Sequence, residues 1–143
     1  MAMRVFKSVI FLTLLQLGFW VSAEPVVVVN ARSAVPKLSR DEVINIFLGR
    51  YRQLPTGETA LPIDQPEGSA LRSEFYRKLV NKEPNEINAY WARLIFSGKT
   101  APPKEASSPA EVVSSLLAHP GAIAYLERSQ LDARFKVVLE FAP

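Results

Sequence analysis

The 143-residue chain has no cysteine and a single histidine, and its 17 Lys and Arg exceed its 14 Asp and Glu by only three. Each scarcity closes a class of chemistry. Without cysteine there is no disulfide framework, thiolate metal site, thiol nucleophile or lipid-carrying cysteine. A zinc site would need three further ligands converging on His119. A Ser-His-acid triad would likewise have to be built on this residue of the "AHPG" turn, and nothing in the spacing favours that. The small charge excess leaves no electrostatic footprint for nucleic acid. The expectation is a non-enzyme that needs no cofactor or metal and has no nucleic-acid partner.

What is present begins with a leader. Arg4 and Lys7 precede an uncharged apolar run, Val9 to Trp20, and Val21-Ser22-Ala23 offers small residues for cleavage. Residues 1–23 therefore read as a secretory signal. The run is shorter than the roughly 20 apolar residues of a bilayer span, so no membrane insertion is expected once it is removed. Without Arg4 and Lys7 the formal charge falls from +3 to +1. Residues 24–143 are then a single exported domain, most simply periplasmic, of a size for one core.

Along that domain, "VVVVN" (26–30) is a β-branched run apolar at every position and reads as a strand buried on both faces. "LSRDEVINIFLG" opens a helix with a Ser39–Glu42 capping box, a Leu38–Val43 staple and a terminal Gly49. "ALPID" is a second strand, with Pro62 best placed near its start or on an edge. Ser69 caps a helix over 70–81 that faces Leu71, Phe75, Leu79 and Val80 inward. A third helix follows Pro84 and runs to Gly98, with Ile87, Tyr90, Trp91, Leu94 and Ile95 at helical spacing.

"SGKTAPPKEASS" has two consecutive prolines and no apolar period, and reads as a loop. Ser108, Pro109 and Glu111 supply N-cap, first-turn proline and capping partner of a fourth helix burying Val112, Val113, Leu116 and Leu117. "AIAYL" and "FKVVLEF" are late strands. The order β-α-β-α-α-α-β-β specifies an α/β domain around one mixed or parallel sheet with about four helices.

The stretch with most chemical content is "PIDQPEGSALRSEFY", 62–76. A helix N-terminus carries unpaired N–H groups and about half a positive charge, so the start of the 70–81 helix is a natural oxyanion seat. Ser69 adds a hydroxyl, the amides near Ala70 and Leu71 are donors, and Gly68 lets the backbone approach. Arg72, one turn in, can fold back as a clamp. Asp64 and Glu67 oppose this: one unit-charge pair at about 5 Å and an effective dielectric near 20 costs about 3 kcal/mol. The plain structural alternative is a Ser69 cap with Arg72 paired to Glu67 or Asp64 at the surface. Arg50 and Arg52 past the first helix read as dipole compensation.

The ordered set "VVVVN", "LSRDEVINIFLGR", "LPIDQPEGSALRSEFY" and "AHPGAIAYL" resembles one lobe of the phosphate-binding components of ABC importers. The resemblance implies a single type II periplasmic-binding-protein-like lobe. It also implies an anion site in the Gly68-Ser69 loop, with Gln65 where the family carries Arg, and Ala70 and Leu71 where it carries Gly and Thr. The family cage is made by two lobes closing together, so one lobe implies weak binding. Phosphate or a similar oxyanion is the expected ligand, and an ABC permease, a membrane sensor or self-association supplies the partner. The rival expectation is a sensory or protein-interaction accessory that has lost high-affinity anion binding.

Overall fold

Val26, Val27, Val28 and Val29 alternate between two separate apolar clusters and are all inaccessible to solvent, so the first strand is covered on both faces, as its unbroken apolar run requires. The computed structural model of the protein describes residues 23–98 and 100–142. Residues 1–22 of the expected leader lie outside the described residues. Five strands form one mixed sheet: β1 Pro25–Asn30, β2 Leu61–Asp64, β3 Lys104–Glu105, β4 Ala122–Glu127 and β5 Phe135–Glu140. Their order is β3-β2-β4-β1-β5. β1 lies antiparallel to β4 and β5, while β2 runs parallel to β3 and β4.

Among the described residues four α-helices flank the sheet: α1 Arg40–Phe47, α2 Ala70–Val80, α3 Pro84–Ser97 and α4 Pro109–Ala118. The expected mixed α/β lobe with about four helices is the fold observed. Residues of α1, α2 and α3 cover one face, where Phe47, Phe75, Tyr76 and Tyr125 join Val27 and Val29. Val112 and Leu116 of α4 cover the other, against Val26, Val28, Ile63 and Leu126.

Local signals account for most boundaries. Ser39 and Glu42 form the reciprocal capping box of α1. Gly49 follows α1 at φ +75, and a Cβ there would stand 2.9 Å from Trp91 Cη2 and 2.8 Å from Thr100 Oγ1. This glycine thus serves both a left-handed turn and a close approach.

Four local expectations are corrected. The Pro-rich loop contains β3, because Lys104 and Glu105, free of the two prolines, pair with Ile63 and Asp64. Glu111 accepts from the amide and hydroxyl of Ser107, so α4 has a Ser108 cap without the reciprocal half of a box. Leu117 and Ile95 are exposed, since the apolar stripes of α4 and α3 are narrower than the sequence spacing suggests. Arg72 and Tyr76, not counted among the inward residues of α2, are buried.

A buried carboxylate beneath a helix N-terminus

β2 delivers Asp64 at its C-terminal end, and the chain then turns through Pro66, Glu67 and Gly68 into α2. The turn closes by a bond from the Ser69 amide to Pro66 O at 3.1 Å. Gly68 sits at φ +82, a conformation that disfavours side chains, and no atom lies within 4 Å of where its Cβ would be. The backbone is therefore open to approach at that point. Ser69 Oγ accepts from the Arg72 amide at 3.0 Å, and the Ser69 carbonyl accepts the Ser73 amide. At a helix start the amides of Ala70 and Leu71 have no acceptor within the helix, and the Ser69 hydroxyl keeps a proton to donate.

Arg72 leaves this corner. Arg72, Phe75, Tyr76 and Leu79 follow the i, i+3, i+4, i+7 spacing of the buried face of α2, so the guanidinium is carried inward and the residue is only 6% exposed. Its Nε donates to Asp64 Oδ2 at 3.3 Å and its Nη2 to Asn88 Oδ1 at 3.2 Å. The guanidinium carbon stands 5.3 Å from the Tyr76 ring centroid, a cation–π distance.

Asp64 is the centre of the arrangement. It accepts from Arg72, from Tyr76 OH at 2.7 Å, from Tyr125 OH and from the Gln65 amide at 3.0 Å. Four donors on one buried carboxylate meet the condition under which burying a charge is tolerable. Burial first, and then the Asp64 carboxylate, pushes the phenols of Tyr76 and Tyr125 well above the ordinary tyrosine range, so both stay protonated donors. Burial lowers Arg72, but Asp64 together with Tyr76 and Tyr125 outweighs this and leaves the guanidinium raised.

Gln65 is also internal: its Nε2 donates to the Tyr125 carbonyl at 2.9 Å and its own amide additionally reaches Tyr125 OH at 3.2 Å. Of the six expected site residues, Gly68, Ser69, Ala70 and Leu71 gather at the open turn, whereas Arg72 and Gln65 lie behind it. Asp64, whose pairing with Arg72 was expected at the surface, is buried and balanced. Glu67 remains at the surface, its amide donating to Glu105 Oε1 at 3.3 Å and its carboxylate accepting from Asn88 Nδ2 at 3.1 Å. Sequence reasoning missed Tyr76 and Tyr125. The available signal was a cation on an apolar helix stripe, which demands an acid and further donors nearby.

Other sequence features fall away from this corner. Asn30 ends β1 beside Phe135, at the opposite end of the sheet from Asp64, because β1 runs antiparallel to β4 and β4 parallel to β2. His119 is the exposed C-cap residue of α4. Arg50 Nη1 reaches Asn45 Oδ1 at 3.4 Å near the end of α1. Among the described residues no three His, Cys, Asp or Glu side chains converge as a metal site, and no helix is long and apolar enough to cross a membrane.

Solved structures with this fold exist. One is a protein from Clostridium perfringens assigned as a phosphate ABC transporter substrate-binding protein, with bound phosphate. It matches at a TM-score of 0.65 and 14% identity over 81% of this chain and 44% of its own. Another is an ABC-type phosphate transport receptor from Vibrio cholerae, at 0.63 and 14% identity over 81% and 45%. The chain thus spans less than half the length of these neighbours, and the likeness is one of fold. No protein-family model and no curated protein matches the sequence.

Proposed function

We propose that this is an exported, non-catalytic solute-binding lobe that contacts phosphate or a similar oxyanion at the N-terminus of α2. The Ser69 hydroxyl and the Ala70 and Leu71 amides are the donors, and Gly68 leaves the approach open. Arg72 and Gln65 act from behind, fixing the turn through Asp64 and Tyr125. The observation that carries this reading is the open, glycine-led first turn of α2 on a fold shared with phosphate-binding proteins. Glu67 and Glu105 at the rim work against a dianion, and the guanidinium is already matched by Asp64. Binding is therefore expected to be weak, on the order of 1 mM. An ABC permease is the partner this reading implies, with a second lobe or a second copy completing the cage.

Calorimetric titration with phosphate, with chloride as control, tests it. Phosphate should bind saturably, Ser69→Ala should weaken it severalfold, and the melting temperature should rise with phosphate as RT ln(1 + [L]/Kd) prescribes. Absence of saturable binding would overturn the reading. A second reading, a protein-interaction or sensory lobe, is favoured by one observation: Phe96, at the end of α3, is 97% exposed, and its neighbour Ile95 56%. A specific complex that survives in excess phosphate and is lost in Phe96→Ser would support it.

A further inference from the structure

Glu24, the first residue of the expected domain, is tied down at its backbone and at its side chain. Its amide donates to Glu127 Oε1 at 2.9 Å, its carbonyl accepts from the Arg128 amide at 2.9 Å, and its carboxylate accepts from Arg128 Nε at 3.1 Å. These bonds hold it beside the first pair of the sheet, Pro25 of β1 opposite Glu127 of β4. Ala23, one residue earlier, makes no hydrogen bond among the described residues. The bonded chain therefore begins at the residue that follows the expected cleavage point.

The charges gathered there do not balance. Glu24, Glu127 and Glu140 bring three carboxylates, against the cations Arg128 and Lys78, the latter lining with Glu24 and Arg128 one small cavity of about 230 Å³. Arg128 is committed to Glu24 and to Glu140, at 3.1 Å each. Glu127 meets only the Glu24 amide, a neutral donor. One further positive charge, placed at the Glu24 nitrogen, would match the set.

We propose that the Ala23–Glu24 bond is a processing site, and that the amino terminus released there docks as an ammonium on the Glu127 carboxylate. Water adds across the peptide bond, leaving a carboxylate on Ala23 and a protonated amine on Glu24. The neutral donor to Glu127 Oε1 thereby becomes a charged one in the same place, which strengthens the bond. Val21-Ser22-Ala23 supplies the small residues a signal peptidase accepts. A chain cut one residue earlier would carry its ammonium about 3.8 Å further along the backbone, away from Glu127. The socket thus reads the position of the cut. This inference rests on the export part of the reading above and is independent of its oxyanion.

The test starts from the full chain expressed in an exporting bacterial host. Mass spectrometry of the exported protein should show a chain beginning at Glu24. Its α-amine, followed by NMR, should titrate above the ordinary range of about 7.7–8.0, and in Glu127→Gln that titration should fall by about half a pH unit, the size of a surface ion pair. A leaderless chain beginning at Ala23 gives a second comparison with no substitution at the sheet edge, and its amine should titrate in the ordinary range. An uncut chain would overturn the proposal and the export reading together. A different first residue, or a cut at Glu24 with the same titration in wild type, Glu127→Gln and the chain beginning at Ala23, would overturn the proposal alone.

Discussion

The two faces of the sheet are built from alternate residues of the same strands, yet they are held by different physics. On β4, Tyr125 and Ile123 point to the α2 side while Ala122, Ala124 and Leu126 point to the α4 side. The α4 face is aliphatic apart from Phe135, and its stability comes from removing area from water. The α2 face combines an aromatic stack, with Phe75 and Tyr125 centroids 3.7 Å apart, with the Asp64 carboxylate and its donors. There, folding and the geometry of the α2 turn depend on the same hydrogen bonds. A face held by area tolerates replacement, whereas a face held by matched charge tolerates only matched changes.

Removing one partner of the charge pair should therefore produce the largest effect. Asp64→Ala leaves the Arg72 guanidinium buried without its counter-ion, and urea denaturation should report a loss of about 3–5 kcal/mol. The double replacement Asp64→Leu with Arg72→Leu should recover a large part of it; a double mutant as unstable as the single would show that the pair is not the unit. On the opposite face Leu116→Ala should cost about 2–5 kcal/mol, through lost transfer energy and a cavity.

Alkali should separate the faces. Both phenols are raised above the unfolded value of 10.0, so the folded state holds protons that the unfolded chain releases. Stability is then fully present below about pH 10 and falls as pH rises toward the folded values. Tyr76→Phe and Tyr125→Phe should each flatten that fall in thermal melts, whereas Leu116→Ala should keep the wild-type slope. The smallest expected effect is at the cap: Ser69→Ala should cost about 1 kcal/mol in chemical denaturation, with the Asp64 cluster left in place.

The elements were legible because their signals are local. The four-valine run, the Ser39–Glu42 box, and Ser69, Pro84 and Ser108 at helix starts each mark a boundary through bonds made within a few residues. The turn at Gly68-Ser69 was legible for the same reason. The pairing of Arg72 with Asp64 was among the expectations, but at the surface; the burial of Arg72 was not legible. Asp64 lies eight residues before it and Tyr125 fifty-three after it, and only the parallel pairing of β2 with β4 brings those groups together. Strand β3 escaped notice because two residues carry no periodicity. Ile95 and Leu117 were expected inside because helical spacing gives the direction of a face but not its width.

The claim on which the rest depends is that Arg72 serves Asp64 and not an oxyanion at the start of α2. Phosphate titration of wild type and Arg72→Lys, each with its melting temperature recorded, tests this most directly. If the account is right, the lysine variant melts lower, because it loses the bond to Asn88 and the fixed guanidinium geometry. Its phosphate affinity should nevertheless stay within about threefold of wild type, as expected for a residue outside the ligand contacts. Abolished phosphate binding with an unchanged melting temperature would contradict it and make the guanidinium the clamp.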